Sequence, residues 1–365
     1  MPAVILLIFR NHIDENTYKE GEETDMKKKI FEAALFFGIM FLTFYTLLHG
    51  QNMSEIFKAV KNMSVPYLAA AAGLALFFVC AEGSMIWYLL RSMGQEKSSL
   101  PRCIQYSFIG FFYSGITPSA TGGQPVQLYY MNKDGNKGSD CTVVLMTVAV
   151  IYKFVLVALG AVLLAVLRGT LKEELHSYFP LYLVGMLLNT IVVLVVLAAM
   201  LFPKWMLFVA AAFEKQMLRL DIWKEDKRRM EKVKEFTDSY QKAVSWMKQH
   251  KGKLGVVLFV TFLQRCSVFL LTYMVYLGFG ESKTPMLTVL ILQASVYIAV
   301  DMLPLPGAQG ITELMYRTVF ATVFSGNYLI PSMLVSRGLN FYFLLLVSLF
   351  VVVINKLCSY RSCSI

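Results

Sequence analysis

Apolar residues run along this chain in long blocks separated by short polar punctuation. A helix crosses a bilayer core with about 20 apolar residues. Residues 30–48, 67–90, 141–167, 178–202, 254–279 and 330–354 form blocks of that kind and are expected to span. The runs are continuous rather than alternating, which argues against a β-barrel. A short amphipathic piece is expected at 54–63.

Two further apolar segments are broken by proline and glycine. The first is Thr117-Pro118-Ser119-Ala120-Thr121-Gly122-Gly123-Gln124-Pro125, and the second is Leu303-Pro304-Leu305-Pro306-Gly307-Ala308-Gln309-Gly310. The helix before the first break, 102–115, is roughly 21 Å long, too short to cross. Helices at 124–131, 287–302 and 311–324 complete the two broken segments. Broken backbone at membrane depth survives only where protein or a wet cavity surrounds it, and a matched pair of breaks points to a transporter's binding site. Pro kinks in two ordinary spans are the simpler alternative.

Charge decides between a crossing and a re-entrant path. Residues 203–253 carry 13 Lys/Arg against 7 Asp/Glu. That segment and Lys27–Lys29 should both lie in the cytoplasm. If both broken segments crossed, the two basic regions would fall on opposite sides. If both return to their side of origin, the basic regions and both termini lie inside. The first break then enters from the cytoplasm and the second from outside, as in an inverted repeat. Spacing agrees. Glu82 lies 36 residues before Pro118 and Lys153 lies 35 after it, while Arg265 lies 41 before Pro306 and Arg337 lies 31 after it.

The expected fold is therefore an all-α integral membrane protein with about six full transmembrane helices and two broken re-entrant hairpins in an inverted repeat. The expected organisation is an N-terminal extension at 1–29, disordered, with a native start near Met26. A membrane half at 30–202 follows, with its break at 116–125. A basic cytoplasmic amphipathic segment occupies 203–253, and its apolar positions, Met206 to Met247, recur at helical spacing. That face could lie on the anionic inner leaflet or serve as a plain linker between the halves. A second membrane half at 254–356, with its break at 303–310, leads to a cytoplasmic tail at 357–365.

Composition supports this class. The chain is 57% hydrophobic and 16% charged, with a mean hydropathy of +0.57, whereas soluble domains carry about a quarter charged residues. Six scattered cysteines and four histidines form no metal-ligand spacing, so no metal, cofactor or catalytic residue is expected. No phosphate-binding glycine loop and no nucleic-acid-binding motif is present.

The intramembrane charges are the candidate chemistry. A charge at mid-helix costs about 2.5–3.5 kcal/mol on the insertion scale, so it should face the interior and find a partner. Glu82 is expected to pair with Lys153 or Arg265. Such a pair could only fix packing. Alternatively, Lys153, Arg265 and Arg337 could line a polar groove for a lipid headgroup, with Glu82, Asp301 and Glu313 balancing them. The broken-helix ends, with unpaired N–H groups and partial positive charge, suit a phosphate or carboxylate. The candidate substrate-binding residues are Thr117, Pro118, Thr121, Gly122, Gly123, Gln124, Pro306, Gly307, Gly310, Glu313, Arg265, Lys153, Arg337 and Glu82.

Gly122-Gly123-Gln124-Pro125 and Pro306-Gly307-Ala308-Gln309-Gly310-Ile311-Thr312-Glu313 together resemble the membrane domain of the lysylphosphatidylglycerol synthetase/flippase family. The resemblance extends over roughly 27–356. It implies a bacterial cell-membrane flippase, associated with antibiotic resistance, that moves phosphatidylglycerol, its lysyl ester or a related phospholipid between leaflets. The family name, phosphatidylglycerol lysyltransferase, belongs to a C-terminal synthase domain that this chain is expected to lack, so no enzyme activity is expected. Gln124 stands where many relatives have Glu, and Ala308 replaces a Gly; both bear on the cargo. The expected partners are an anionic or lysyl-modified phospholipid and a second copy of the chain, with no nucleic acid. The alternatives are a secondary transporter of a small anionic solute, or a non-transporting membrane partner of a separate lipid aminoacyl-transferase.

Overall fold

The computed structural model describes residues 38, 45, 53–117, 120–202 and 227–362. The N-terminal extension, the expected first span apart from Gly38 and Tyr45, Pro118, Ser119 and 203–226 lie outside the described residues. Among the described residues all regular structure is helical: α1 (Met53–Lys61), α2 (Val65–Ser92), α3 (Leu100–Ile116), α4 (Gly123–Lys133), α5 (Gly138–Leu175), α6 (Phe179–Leu201), α7 (Lys227–Gln249), α8 (Lys251–Gly278), α9 (Met286–Val300), α10 (Ile311–Val319), α11 (Gly326–Arg337) and α12 (Leu344–Ser362). Among the described residues four helical stretches are long and apolar enough to cross a membrane: Val65–Ser92, Gly138–Leu201, Lys251–Gly278 and Gly326–Leu357.

Gly138–Leu201 is two helices folded back on each other. Non-helical backbone at Leu167 and a positive φ at His176 break it, and the Tyr182 hydroxyl donates to Gly160 O at 2.7 Å across the hairpin. The last stretch is also interrupted. α11 passes into a π-helical turn, Gly338–Phe343, before α12. Such turns commonly mark functional positions in helices.

The centre of the molecule is the pairing of α2 with α8. Ser64 N donates to Gly278 O at 3.0 Å, Gln264 Nε2 donates to Phe78 O at 2.7 Å, and Lys253 Nζ sits 4.9 Å from the Tyr88 ring centroid. Residue numbers rise on one helix as they fall on the other, so the two run antiparallel. Each has 28 residues and each is followed by a pair of shorter helices and then a long apolar one. Equivalent helices running antiparallel are what an inverted repeat produces.

Both broken segments are hairpins, and each returns to the end it came from. In the first, Gly123 lies so close to α3 that an added Cβ would sit 2.0 Å from Ser114 Oγ and 2.6 Å from Gly110 O. Its mouth is closed by Arg102 Nε donating to Asp134 Oδ2 at 2.5 Å and Asn136 Nδ2 donating to Ser98 Oγ at 2.8 Å. Arg102 Nη1 also donates to Asn355 Oδ1 of α12 at 2.7 Å. The second hairpin, α9–α10, starts and ends at the opposite pole, where Thr284 N donates to the Tyr276 hydroxyl at 2.7 Å and Ser325 N donates to Glu281 Oε1 at 3.0 Å.

α7, the described part of the basic segment, favours the linker alternative over the leaflet one. Its apolar residues Tyr240, Ala243, Val244 and Met247 are buried with residues of α2, α4 and α5 rather than facing lipid. Burial against protein removes the same apolar area from water that a leaflet would. The basic helix is thereby fixed to the bundle.

Candidate functional site

The apolar interior falls into two separate clusters. One holds Ala71, Ala75 and Val79 of α2, Leu156 of α5 and Leu271 and Val275 of α8. The other holds Met85 and Ile86 of α2, Val148 and Val150 of α5 and Val257 of α8. On each of these three helices the charged residue falls between the two clusters: Glu82, Lys153 and Arg265. Apolar side chains pack with one another above and below, and the charges are left in one layer between them.

Partners differ from the sequence expectation. Lys153 pairs with Asp301, at the end of α9, not with Glu82. Glu82 Oε1 accepts a hydrogen bond from Gln127 Nε2 of α4 at 2.8 Å. Gln127 is held in place because Gly110 on α3 leaves room for it; a Cβ there would fall 2.2 Å from Gln127 Nε2. Each broken hairpin therefore contributes one residue to the charged layer, Gln127 from the first and Asp301 from the second.

Arg265 has no hydrogen-bond partner among the described residues. It is 0% exposed, and its Nε, Nη1 and Nη2 are all unpaired. Its guanidinium lies 3.4 Å from the Tyr152 ring centroid and 5.3 Å from that of Phe78. Asp301, Tyr297 and Glu82 surround it at electrostatic range without bonding to it.

At the second break, Gly310 takes φ +84 and its N–H donates to Glu313 Oε2 at 2.8 Å, so the α10 N-terminus is capped by its own carboxylate. Glu313 Oε1 accepts from Arg337 Nε at 2.8 Å, and Arg337 Nη2 donates to Gly307 O at 2.9 Å. Arg337 also lies 5.0 Å from the Phe341 ring, and Gly307 packs so tightly on that ring that a Cβ would sit 2.2 Å from Phe341 Cζ. The expectation of an open helix end at this break is corrected: the terminus, Pro306–Gly307, Glu313 and Arg337 form a closed clasp at the π-helical turn.

At the first break, Thr117 Oγ1 donates to Tyr113 O at 2.6 Å and accepts from Gly122 N at 2.9 Å. Gln124 and Thr121 are exposed and Gly123 is buried. Both breaks carry an alanine with positive φ, Ala120 at +54 and Ala308 at +50. Such backbone is costly for a residue with a Cβ and gathers at functional turns. Gly122-Gly123-Gln124-Pro125 also lines up with Gly307-Ala308-Gln309-Gly310. That short internal repeat was the signal that could have singled out Gln309, which is buried with neither side-chain polar atom paired among the described residues. Gln127, Tyr152, Phe78 and Phe341 carried no sequence signal of their own.

Among the described residues no group of three or more His, Cys, Asp or Glu is placed to hold a metal ion.

The structure brings Glu82, Lys153 and Arg265 into one layer and joins Glu313, Arg337 and Gly307 in another group. Comparison with known proteins adds the lineage. A UPF0104 membrane protein of Pyrococcus horikoshii is 24% identical over 263 residues, 68% of this chain and 76% of that protein. A UPF0104 membrane protein of Methanothermobacter thermautotrophicus is 25% identical over 119 residues, 33% of this chain and 34% of that protein. The family model described as the lysylphosphatidylglycerol synthase TM region matches residues 30–348, which include both hairpins and every charged residue of the layer, and the chain belongs to that family.

Proposed function

We propose that this protein moves a phospholipid between the two leaflets of a cell membrane. The observation that carries the reading is the charged layer. Glu82, Lys153 and Arg265 lie at mid-bundle between two apolar clusters, where one residue from each oppositely directed hairpin reaches them. A headgroup leaving water needs replacement polar partners at that depth, and buried charges within a bundle mark such pathways. The acyl chains stay in the hydrocarbon while the headgroup passes the layer. Phosphatidylglycerol or a derivative is the cargo that the family description favours, and the chemistry is transport rather than transfer of a lysyl group.

The pole carrying Arg91, Lys97, Lys133, Lys137, α7 and Lys356 faces the cytoplasm by the positive-inside rule. The first hairpin then opens to the cytoplasm and the second to the outside.

The test uses purified protein in liposomes that carry fluorescent phosphatidylglycerol or fluorescent lysyl-phosphatidylglycerol. Dithionite bleaches only outer-leaflet label. Protein-dependent bleaching beyond the outer-leaflet fraction is the expected result, and the faster lipid identifies the headgroup. Bleaching that stops at the outer-leaflet fraction for both lipids, with correctly inserted protein, refutes translocation of either.

A further inference from the structure

The acidic groups of the interior already have donors. Asp301 accepts from Lys153, Glu313 from Arg337 and Gly310 N, and Glu82 from Gln127. Among the described residues the donors of Arg265 have no acceptor. A guanidinium presents five N–H groups in a fixed planar fork, and burying it unpaired is among the costliest arrangements a protein can hold. A residue needed only for packing between α2, α5 and α8 would be leucine or methionine. Among the described residues, every interior charge except this one has a hydrogen-bond partner.

Its setting also favours one kind of ligand. Tyr152 stacks at 3.4 Å and Phe78 lies at 5.3 Å, both counted to the ring centroid. The aromatic rings attract the cation through its face and leave the hydrogen-bonding edge of the fork unused. That edge matches two oxygens of a phosphate in a bidentate grip. Lys153, the next residue after Tyr152, lies 5.7 Å from the same ring. A second cation is therefore at hand, its charge held in check by Asp301 until an anion arrives. Glu82 and Asp301 prevent the site from accumulating free positive charge in the empty state.

We propose that Arg265, seated on Tyr152 and backed by Lys153, is a binding centre for a phosphate-type oxyanion inside the bundle. For a lipid cargo this is the phosphodiester, common to phosphatidylglycerol and its derivatives. The proposal rests on the translocation reading only for the lipid source of that phosphate. Recognition then falls on the phosphate and not on an aminoacyl group, because the acids that would hold an ammonium are already engaged.

The test is ligand-induced thermal stabilisation of the purified full chain in detergent. Three probes are compared: dihexanoyl-phosphatidylglycerol, inorganic phosphate, and dihexanoylglycerol, which has the tails without the phosphate. A ligand that binds only the folded state raises the apparent Tm in a saturable way. Phosphatidylglycerol is expected to do so and dihexanoylglycerol is not. A rise with inorganic phosphate as strong as with the lipid keeps the site and identifies free phosphate as its ligand.

Arg265→Met is expected to weaken binding by about a hundredfold or more. Combined with Glu82→Gln, so that no carboxylate loses its counter-charge, it is also expected to leave the ligand-free protein as stable as the parent or more so, because a buried guanidinium without a hydrogen-bond partner has been removed. A merely structural arginine would do the opposite. Arg265→Lys keeps the charge but loses the fork, and is expected to bind about tenfold more weakly. Equal stabilisation of the parent and both variants by phosphatidylglycerol overturns the proposal. So does an equal response to dihexanoylglycerol, or no response of the parent to any probe.

The liposome assay separates this proposal from the broader reading. Arg265-dependent binding without lipid movement keeps the site and removes translocation. Lipid movement at the parent rate in Arg265→Met keeps translocation and removes the site.

Discussion

Replacing Glu313 by alanine opens the clasp at the second break. Glu313 Oε1 accepts from Arg337 Nε and Oε2 accepts from Gly310 N, both at 2.8 Å. The two side chains are only 10% and 5% exposed, so solvent screens the pair little. Removing one member of a buried pair costs about 3–5 kcal/mol because the other charge is stranded. The lost cap at Gly310 adds about 1 kcal/mol. Arg337 keeps its bond to Gly307 O and its contact with Phe341, which offsets part of this. The net expectation is a loss of about 3–4 kcal/mol. In Glu313→Ala/Arg337→Met no charge is stranded, and the loss should shrink to about 1–2 kcal/mol. Unfolding by SDS titration in mixed micelles gives all four corners of the cycle. Arg337→Met alone should sit between the parent and Glu313→Ala. A Glu313→Ala loss below about 1 kcal/mol, or two single losses that simply add in the double variant, would refute the clasp as a coupled unit. The same result bears on transport, since Glu313→Ala would then act on the site rather than through the fold.

Four further outcomes follow from the geometry. Lys153→Met should destabilise by about 3 kcal/mol, and Lys153→Met/Asp301→Leu by much less, since the pair joins α5 to the end of α9; the same SDS titration reads both. Gly123→Ala should force α3 and α4 apart, and Ser114→Gly should not rescue it, because the Gly110 carbonyl still lies 2.6 Å from the new Cβ; loss of monodisperse protein on size exclusion checks this. Ala308→Gly should stabilise by up to about 1 kcal/mol, since it relieves a positive φ at the cost of chain entropy, and thermal unfolding measures it. For Asp134, burial alone would raise the carboxyl pKa. Hydrogen bonds from Arg102 and Tyr106, with the charges of Arg102 and Lys133, outweigh that and hold it below 3.8. The stabilisation is therefore present above pH 3.8 and is lost as pH falls through the lower folded value. Asp134→Asn should flatten that acid limb of stability against pH, and an unchanged limb would exclude this carboxyl as its source.

The helical class and the two breaks were legible in the sequence because both are local. Long apolar runs must be helical in lipid, since no water is present to satisfy a free backbone. Proline and glycine interrupt those runs wherever they stand, and the expected end of the third block at Leu167 is where α5 kinks. The return of each hairpin to its own pole was legible too, because basic residues are sorted by side and so constrain topology. The partnerships of the charges were not. Lys153 meets Asp301 across 148 positions, Gln127 meets Glu82 across 45, and Arg337 meets Glu313 across 24. An intramembrane charge announces that it needs a partner, but many partners satisfy that need equally in sequence. Only the antiparallel packing of α2 on α8 and the depth of each hairpin chose among them. The same packing left Arg265 without a hydrogen-bond partner among the described residues, a property of three-dimensional position that residue type and spacing do not encode.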